Sequence, residues 1–203
     1  MKQNNILVRM IASFAMMIVL MGNVAIADEL DPAKPLTTKE QIAQLVSEIQ
    51  LDDEFVVNLK NNDQELFCLA VNNYYEARGE GIQGKIAISE VVMNRSEHPA
   101  YPDSPCAVVK QSSIREGTKV CQFSWFCVRG LQAPKVKEGT SNHKEWYQSI
   151  VAAIIVYQNN FSGVAKGATH FYSHNQVTPV WSTNGTMTMT SRVGNHTFLK
   201  SKR

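Results

Sequence analysis

The chain of 203 residues has no internal repeat and no low-complexity run, which excludes a solenoid, a propeller or a tract without a packed core. It has no H-E-x-x-H pair, so the helical zinc site of many metallopeptidases has no basis in it. It has little charge of either sign in excess, with 20 basic and 18 acidic residues. Residues 1–27 contribute Lys2 and Arg9 and no acidic residue, so setting them aside leaves 18 of each sign. The basic field that nucleic acid demands is missing. There is no odd cysteine either: Cys68, Cys106, Cys121 and Cys127 can close as two bridges in three ways.

What is present begins with an uncharged run, Met10 to Ala27, behind Lys2 and Arg9 and ending on Ala25-Ile26-Ala27. This pattern is a secretory signal peptide with Asp28 as the mature N-terminus, the alternative being an uncleaved anchor. The remainder is then exported to the periplasm, envelope or exterior, touching the membrane only through that segment. Disulfides are stable there, and the preferred pairing is Cys121 with Cys127 and Cys68 with Cys106.

Residues 28–63 are expected to form a leader with one helix, opened by a capping-box pattern at Thr38-x-x-Gln41 and continued by the stripe Ile42, Leu45, Val46 and Ile49. From Glu65 a second helix carries Leu66, Leu69, Ala70 and Asn73 on one face and stops near Gly79. Helices are also expected over Lys85 to Asn94 and Glu145 to Asn159. Between residues 96 and 142 the pattern is mostly loop with short extended pieces such as Gln122 to Cys127. Period-two alternation over Met187 to Val193, then Gly194-Asn195 and His196 to Leu199, predicts an antiparallel hairpin. Helices first and short strands last give an α+β domain, mostly helical, over residues 64–203.

The stretch YYEARGEGIQG, residues 74–84, places Glu76 at the end of an apolar helix. The negative end of the helix dipole and burial against Tyr74 or Tyr75 both disfavour its charged form. A glutamate tuned upward in this way can act as a general acid. The competing placement pairs Glu76 with Arg78 or Lys85 on a solvated face.

The segment Cys68-Leu-Ala-Val-Asn-Asn-Tyr-Tyr-Glu76-Ala-Arg-Gly-Glu80 closely resembles the signature helix of the SleB-type cell wall hydrolases, the spore-cortex-lytic family. Further blocks follow in the family's order: Gly84 to Arg95, Tyr101 to Val109, Cys121 to Cys127, Gly167 to Tyr172, Pro179-x-Trp181 and Gly194 to Phe198. The resemblance covers about residues 64 to 200. It implies a lysozyme-like or lytic-transglycosylase-like domain that cleaves the MurNAc–GlcNAc strand of peptidoglycan, with Glu76 at the catalytic position.

Ordinary glycosidases use two carboxyl groups. Glu80 would share a face with Glu76 only if the helix ran through Gly79, and its expected role is to fix Arg78 or a turn. A lytic transglycosylase needs one carboxyl group, because the substrate's own 6-hydroxyl is the nucleophile. Candidate sugar contacts are Tyr75, the amide, hydroxyl and rings of Gln122, Phe123, Ser124 and Trp125, then His170 and Tyr172 on one face of a strand, and Trp181.

No cofactor or metal is expected, and the chain should act as a monomer on glycan strands. Three rivals are a zinc hydrolase using some of His98, His143, His170, His174 and His196, a cysteine endopeptidase with Cys68 as nucleophile, and a glycan-binding module without activity.

Overall fold

A computed structural model describes residues 36–158, 161 and 163–202. The expected signal peptide, residues 1–27, lies outside the described residues. The described residues divide into two units, one up to Gln50 and one from Leu51 onward, and no described helix is long and apolar enough to cross a membrane.

In the first unit, α1 spans Thr38–Glu48. The capping box sits one residue earlier than its sequence pattern suggested. Thr37 accepts from the Glu40 N–H at 3.3 Å, and the Glu40 carboxylate accepts from the Thr37 N–H at 2.7 Å. A charged acceptor at the positive end of a helix outcompetes the neutral Gln41 one position on.

The second unit opens with α2, Asp53–Asn62, capped by Asp52. Residues 28–63 therefore carry a second helix beside the one expected. Asp63 then caps α3, Gln64–Glu76. Next come α4, Ile82–Ser96, and α7, Ser141–Tyr157, which pack with α3 as the core. Every residue of α3 from Leu66 to Tyr74 is buried, as expected of a helix enclosed on all sides rather than one with a single apolar stripe. Asn73 survives there because its Nδ2 donates to Ser89 Oγ at 2.7 Å and to the Ser149 carbonyl at 3.2 Å, bonding all three helices together.

Between α4 and α7 lies more regular structure than the sequence suggested: α5, Pro105–Lys110, a hairpin of β1, Ser112–Arg115, and β2, Thr118–Cys121, and α6, Ser124–Arg129. The extended piece expected over Gln122 to Cys127 is a helical turn. The Cys121–Cys127 bridge brings its Cα atoms to 5.7 Å, whereas six extended residues would separate them by about 20 Å. Both bridges, Cys121–Cys127 and Cys68–Cys106, are the preferred pairs. Cys68 therefore has no thiol with which to attack a substrate.

The C-terminal part forms a three-stranded antiparallel sheet in the order β3, His170–Ser173, β5, His196–Ser201, and β4, Met187–Val193. The short α8, Val180–Thr183, precedes β4. The central strand β5 is the buried one, from His196 through Leu199. The α+β, mostly helical architecture with a small antiparallel element near the C-terminus is the one the sequence indicated.

Candidate active site

The end of α3 is held from below. Lys85, 0% exposed, donates through Nζ to the Ala77 carbonyl and pairs with Glu145 Oε2, both at 2.7 Å. Glu145 also accepts the Gly79 N–H at 3.2 Å. An ammonium at a helix C-terminus satisfies a carbonyl left over by the helix and opposes its negative pole. Burial raises the Glu145 carboxyl, but the hydrogen bonds from Lys85 and Gly79, together with the charges of Lys85 and Arg78, more than reverse it and hold it below its ordinary value. Gly79, at φ +83°, turns the chain sharply away, so α3 stops at Glu76.

Glu76 has neither of the partners that a solvated placement would give it. Lys85 is engaged with Glu145, and Arg78 reaches Asn142 while lying 5.6 Å from the Tyr74 ring centre. Among the described residues Glu76 makes no hydrogen bond and no ion pair. Burial pushes its carboxyl up to about 7, with the charge of Arg95 opposing the rise. A half-buried acid near 7 is poised to hold and release a proton at neutral pH.

Beside it, Tyr75 stacks on Trp125, ring centres 4.9 Å apart and 24° between planes. The Arg129 guanidinium covers Tyr75 at 5.5 Å. Trp125, 7% exposed, spends its indole N–H on Asn72 Oδ1 at 3.1 Å. Phe123 is 2% exposed and packs under Arg95. The Gln122-Phe-Ser-Trp125 segment is thus split: Gln122 and Ser124 face outward, while Phe123 and Trp125 support the site from inside.

A second group of side chains lines a half-open hollow of about 260 Å³: Arg95, Gln122, His170, Phe171, Trp181 and Met187. Trp181 packs against His170 at 5.6 Å and edge-on against Tyr172 at 5.9 Å, so the two alternate residues of β3 meet the same ring. Tyr172 flanks Trp181 without lining the hollow. Phe171, between His170 and Tyr172 on β3, is half-buried on the hollow and on His196 and Phe198. Burial, then the Arg95 charge, lowers the His170 pKa, and Thr169 Oγ1 lies 2.9 Å from its Nδ1.

Glu80 is committed elsewhere. Its carboxylate accepts from the Asn195 backbone N–H at 3.2 Å and from Asn195 Nδ2 at 2.9 Å, with His196 Nδ1 at 3.7 Å. A Cβ on Gly194 would stand 1.8 Å from Glu80 Oε2, so only glycine permits this approach. Arg78 takes no part.

Sequence reasoning missed Arg95, Phe171, Met187 and Glu145, and gave Lys85 only as a possible solvated partner of Glu76. For Arg95 a signal existed. It follows the inward-facing Val91 and Val92 by four and three positions, so helical geometry alone turns it inward.

Three comparisons bear on the chain. The sequence model of the family described as Cell Wall Hydrolase matches residues 79–199, beginning just past Glu76. The spore cortex-lytic enzyme of Bacillus subtilis (strain 168) is 45% identical over 49 residues, 24% of this chain, and the alignment spans only 15% of that relative's length. Among solved structures, the catalytic domain of the Bacillus cereus SleB protein is 19% identical with a TM-score of 0.44, covering 68% of this chain and 91% of that one. The catalytic domain of the germination-specific lytic transglycosylase SleB from Bacillus anthracis is 19% identical with a TM-score of 0.49, covering 68% and 95%.

Proposed function

Since the chain belongs to the Cell Wall Hydrolase family, we propose that it is an exported enzyme that cleaves the MurNAc–GlcNAc strand of peptidoglycan as a lytic transglycosylase with Glu76 as its one catalytic carboxyl. The observation that carries this reading is the half-buried carboxyl of Glu76, which has no hydrogen bond or ion pair among the described residues and is raised by burial to about 7, beside the stacked rings of Tyr75 and Trp125. Glu80, the nearest other carboxylate along the chain, is occupied by Asn195. That favours a mechanism in which no second carboxylate is required.

In the proposed reaction, protonated Glu76 gives its proton to the glycosidic oxygen as the C1–O bond breaks. The acetamido group of the muramic residue supports the cationic C1. The 6-hydroxyl of the same residue then bonds to C1, and its proton returns to the Glu76 carboxylate. The product is a 1,6-anhydro end, no water is consumed, and the acid is regenerated. Tyr75, Gln122, Ser124, His170, Tyr172 and Trp181 are the proposed sugar contacts, with Phe123 and Trp125 backing them.

Mass spectrometry of the products in labelled water tests this. Anhydro-muramic ends without label support it. Labelled reducing ends mean that water is the nucleophile and the enzyme is a hydrolase. Wild type and Glu76→Gln that both bind strands while neither cuts would make the chain a binding module.

A further inference from the structure

Arg95, on the last turn of α4, is 3% exposed. Its Nε donates to the Thr169 carbonyl at 2.7 Å, and the rings of Tyr101 and Phe123 each lie 5.4 Å from its Cζ. These contacts fix the plane of the guanidinium and use one of its five N–H groups. Neither Nη has a hydrogen-bond partner among the described residues, and Nη1 is shut off from solvent. A buried donor left in this state is costly. Other buried charges are answered: Lys85 by Glu145, Glu80 by Asn195, and Glu90 by the backbone N–H groups of Val164 and Ala165 at 3.1 and 2.6 Å.

Arg95 is also a wall of the hollow that it shares with Gln122, His170, Phe171, Trp181 and Met187. We propose that Arg95 is a substrate-binding residue whose Nη2, the unpaired guanidinium nitrogen not shut off from solvent, receives an acyl oxygen of the glycan strand in this hollow, the acetamido carbonyl of the sugar seated there. The inference rests on the reading of the chain as a glycan-cleaving enzyme. An acetamido group presents a carbonyl, an N–H and a methyl group. Arg95 supplies the donor, the Gln122 side-chain carbonyl an acceptor, and Trp181, Phe171 and Met187 an apolar wall. The muramic lactyl carboxylate carries the same acyl oxygen chemistry from a second position, and the experiment separates the two.

Binding is measured by calorimetry on the full chain carrying Glu76→Gln, so that no strand is cut. The probes are chitotetraose, cellotetraose with a hydroxyl in place of each acetamido group, and peptide-free glycan strands that retain the lactyl carboxylate. Chitotetraose should bind at least about ten-fold more tightly than cellotetraose, and Arg95→Lys, which keeps the charge but loses the fork, should erase that difference. A ten-fold preference for the muramic strands over chitotetraose that Arg95→Lys erases would assign the oxygen to the lactyl group instead.

Equal affinities for all three probes overturn the proposal without any Arg95 variant, so a misfolded Arg95→Lys does not protect it. A chain that binds none of them also overturns it. Whether the Glu76-intact chain still cuts peptidoglycan then decides separately if the enzymatic reading falls too.

Discussion

Glu76 and Glu80 stand four positions apart, on either side of the break after α3, and the fold treats them in opposite ways. Glu80 is 8% exposed and accepts two hydrogen bonds from Asn195. Glu76 is half-buried and accepts none among the described residues. A buried carboxylate with donors is a bolt between two elements; one without donors keeps its proton to higher pH and is available for chemistry.

Exchanging what the two positions do is the most direct way to break this contrast. Glu76→Gln should lower peptidoglycan cleavage by about 100- to 10,000-fold while leaving strand binding intact, read by muropeptide release and co-sedimentation. Lys85→Met, which strands Glu145 and frees the Ala77 carbonyl, should cost about 3 kcal/mol in denaturant unfolding. Gly194→Ala and Glu80→Ala should each cost about 2 kcal/mol and loosen the β4–β5 turn. Activity should survive Glu80→Ala in whatever fraction remains folded. If Glu80→Ala abolishes cleavage in a fully folded protein, the division of labour is wrong.

The pH dependence sharpens the same contrast. The folded Glu76 carboxyl holds its proton to about 7 against 4.5 in the reference state, so the folded state binds more protons between those values. The contribution of Glu76 to stability is therefore full below about 4.5 and falls as pH rises through 7, by about 2 kcal/mol after allowance for partial solvent access. Glu76→Gln should remove this loss, raising Tm at pH 8 and leaving it nearly unchanged at pH 4. Wild-type cleavage, needing the protonated acid, should fall toward ten-fold per unit above pH 7.

Much of the helical core was legible because α3, α4 and α7 bury long, largely apolar runs that end on stop signals. The β4–β5 hairpin was legible from alternation and Gly194-Asn195. The region between α4 and α7 was not. Its elements are four to six residues long, too short for a period to show, and they are set by tertiary constraints. One constraint could have been used, since a bridge between Cys121 and Cys127 is incompatible with an extended chain between them. Glu76 was singled out through dipole, burial and resemblance. Its unoccupied setting was not, because that depends on Lys85 choosing Glu145, sixty residues away, and Arg78 choosing Asn142. Arg95 was overlooked because a basic residue near a helix end looks like an ordinary solvated terminus until the inward face is followed to its end.

A hairpin frays first at its open ends, because the turn already keeps its tip closed. Here the tip, Gly194-Asn195, is also clamped by Glu80, so opening of the sheet should start at the opposite end, where Met187 faces Ser201. The amide of Asn195 should then be among the slowest in the sheet to exchange with deuterium. The corner nearest α3 would stay shut while the chain's tail comes and goes.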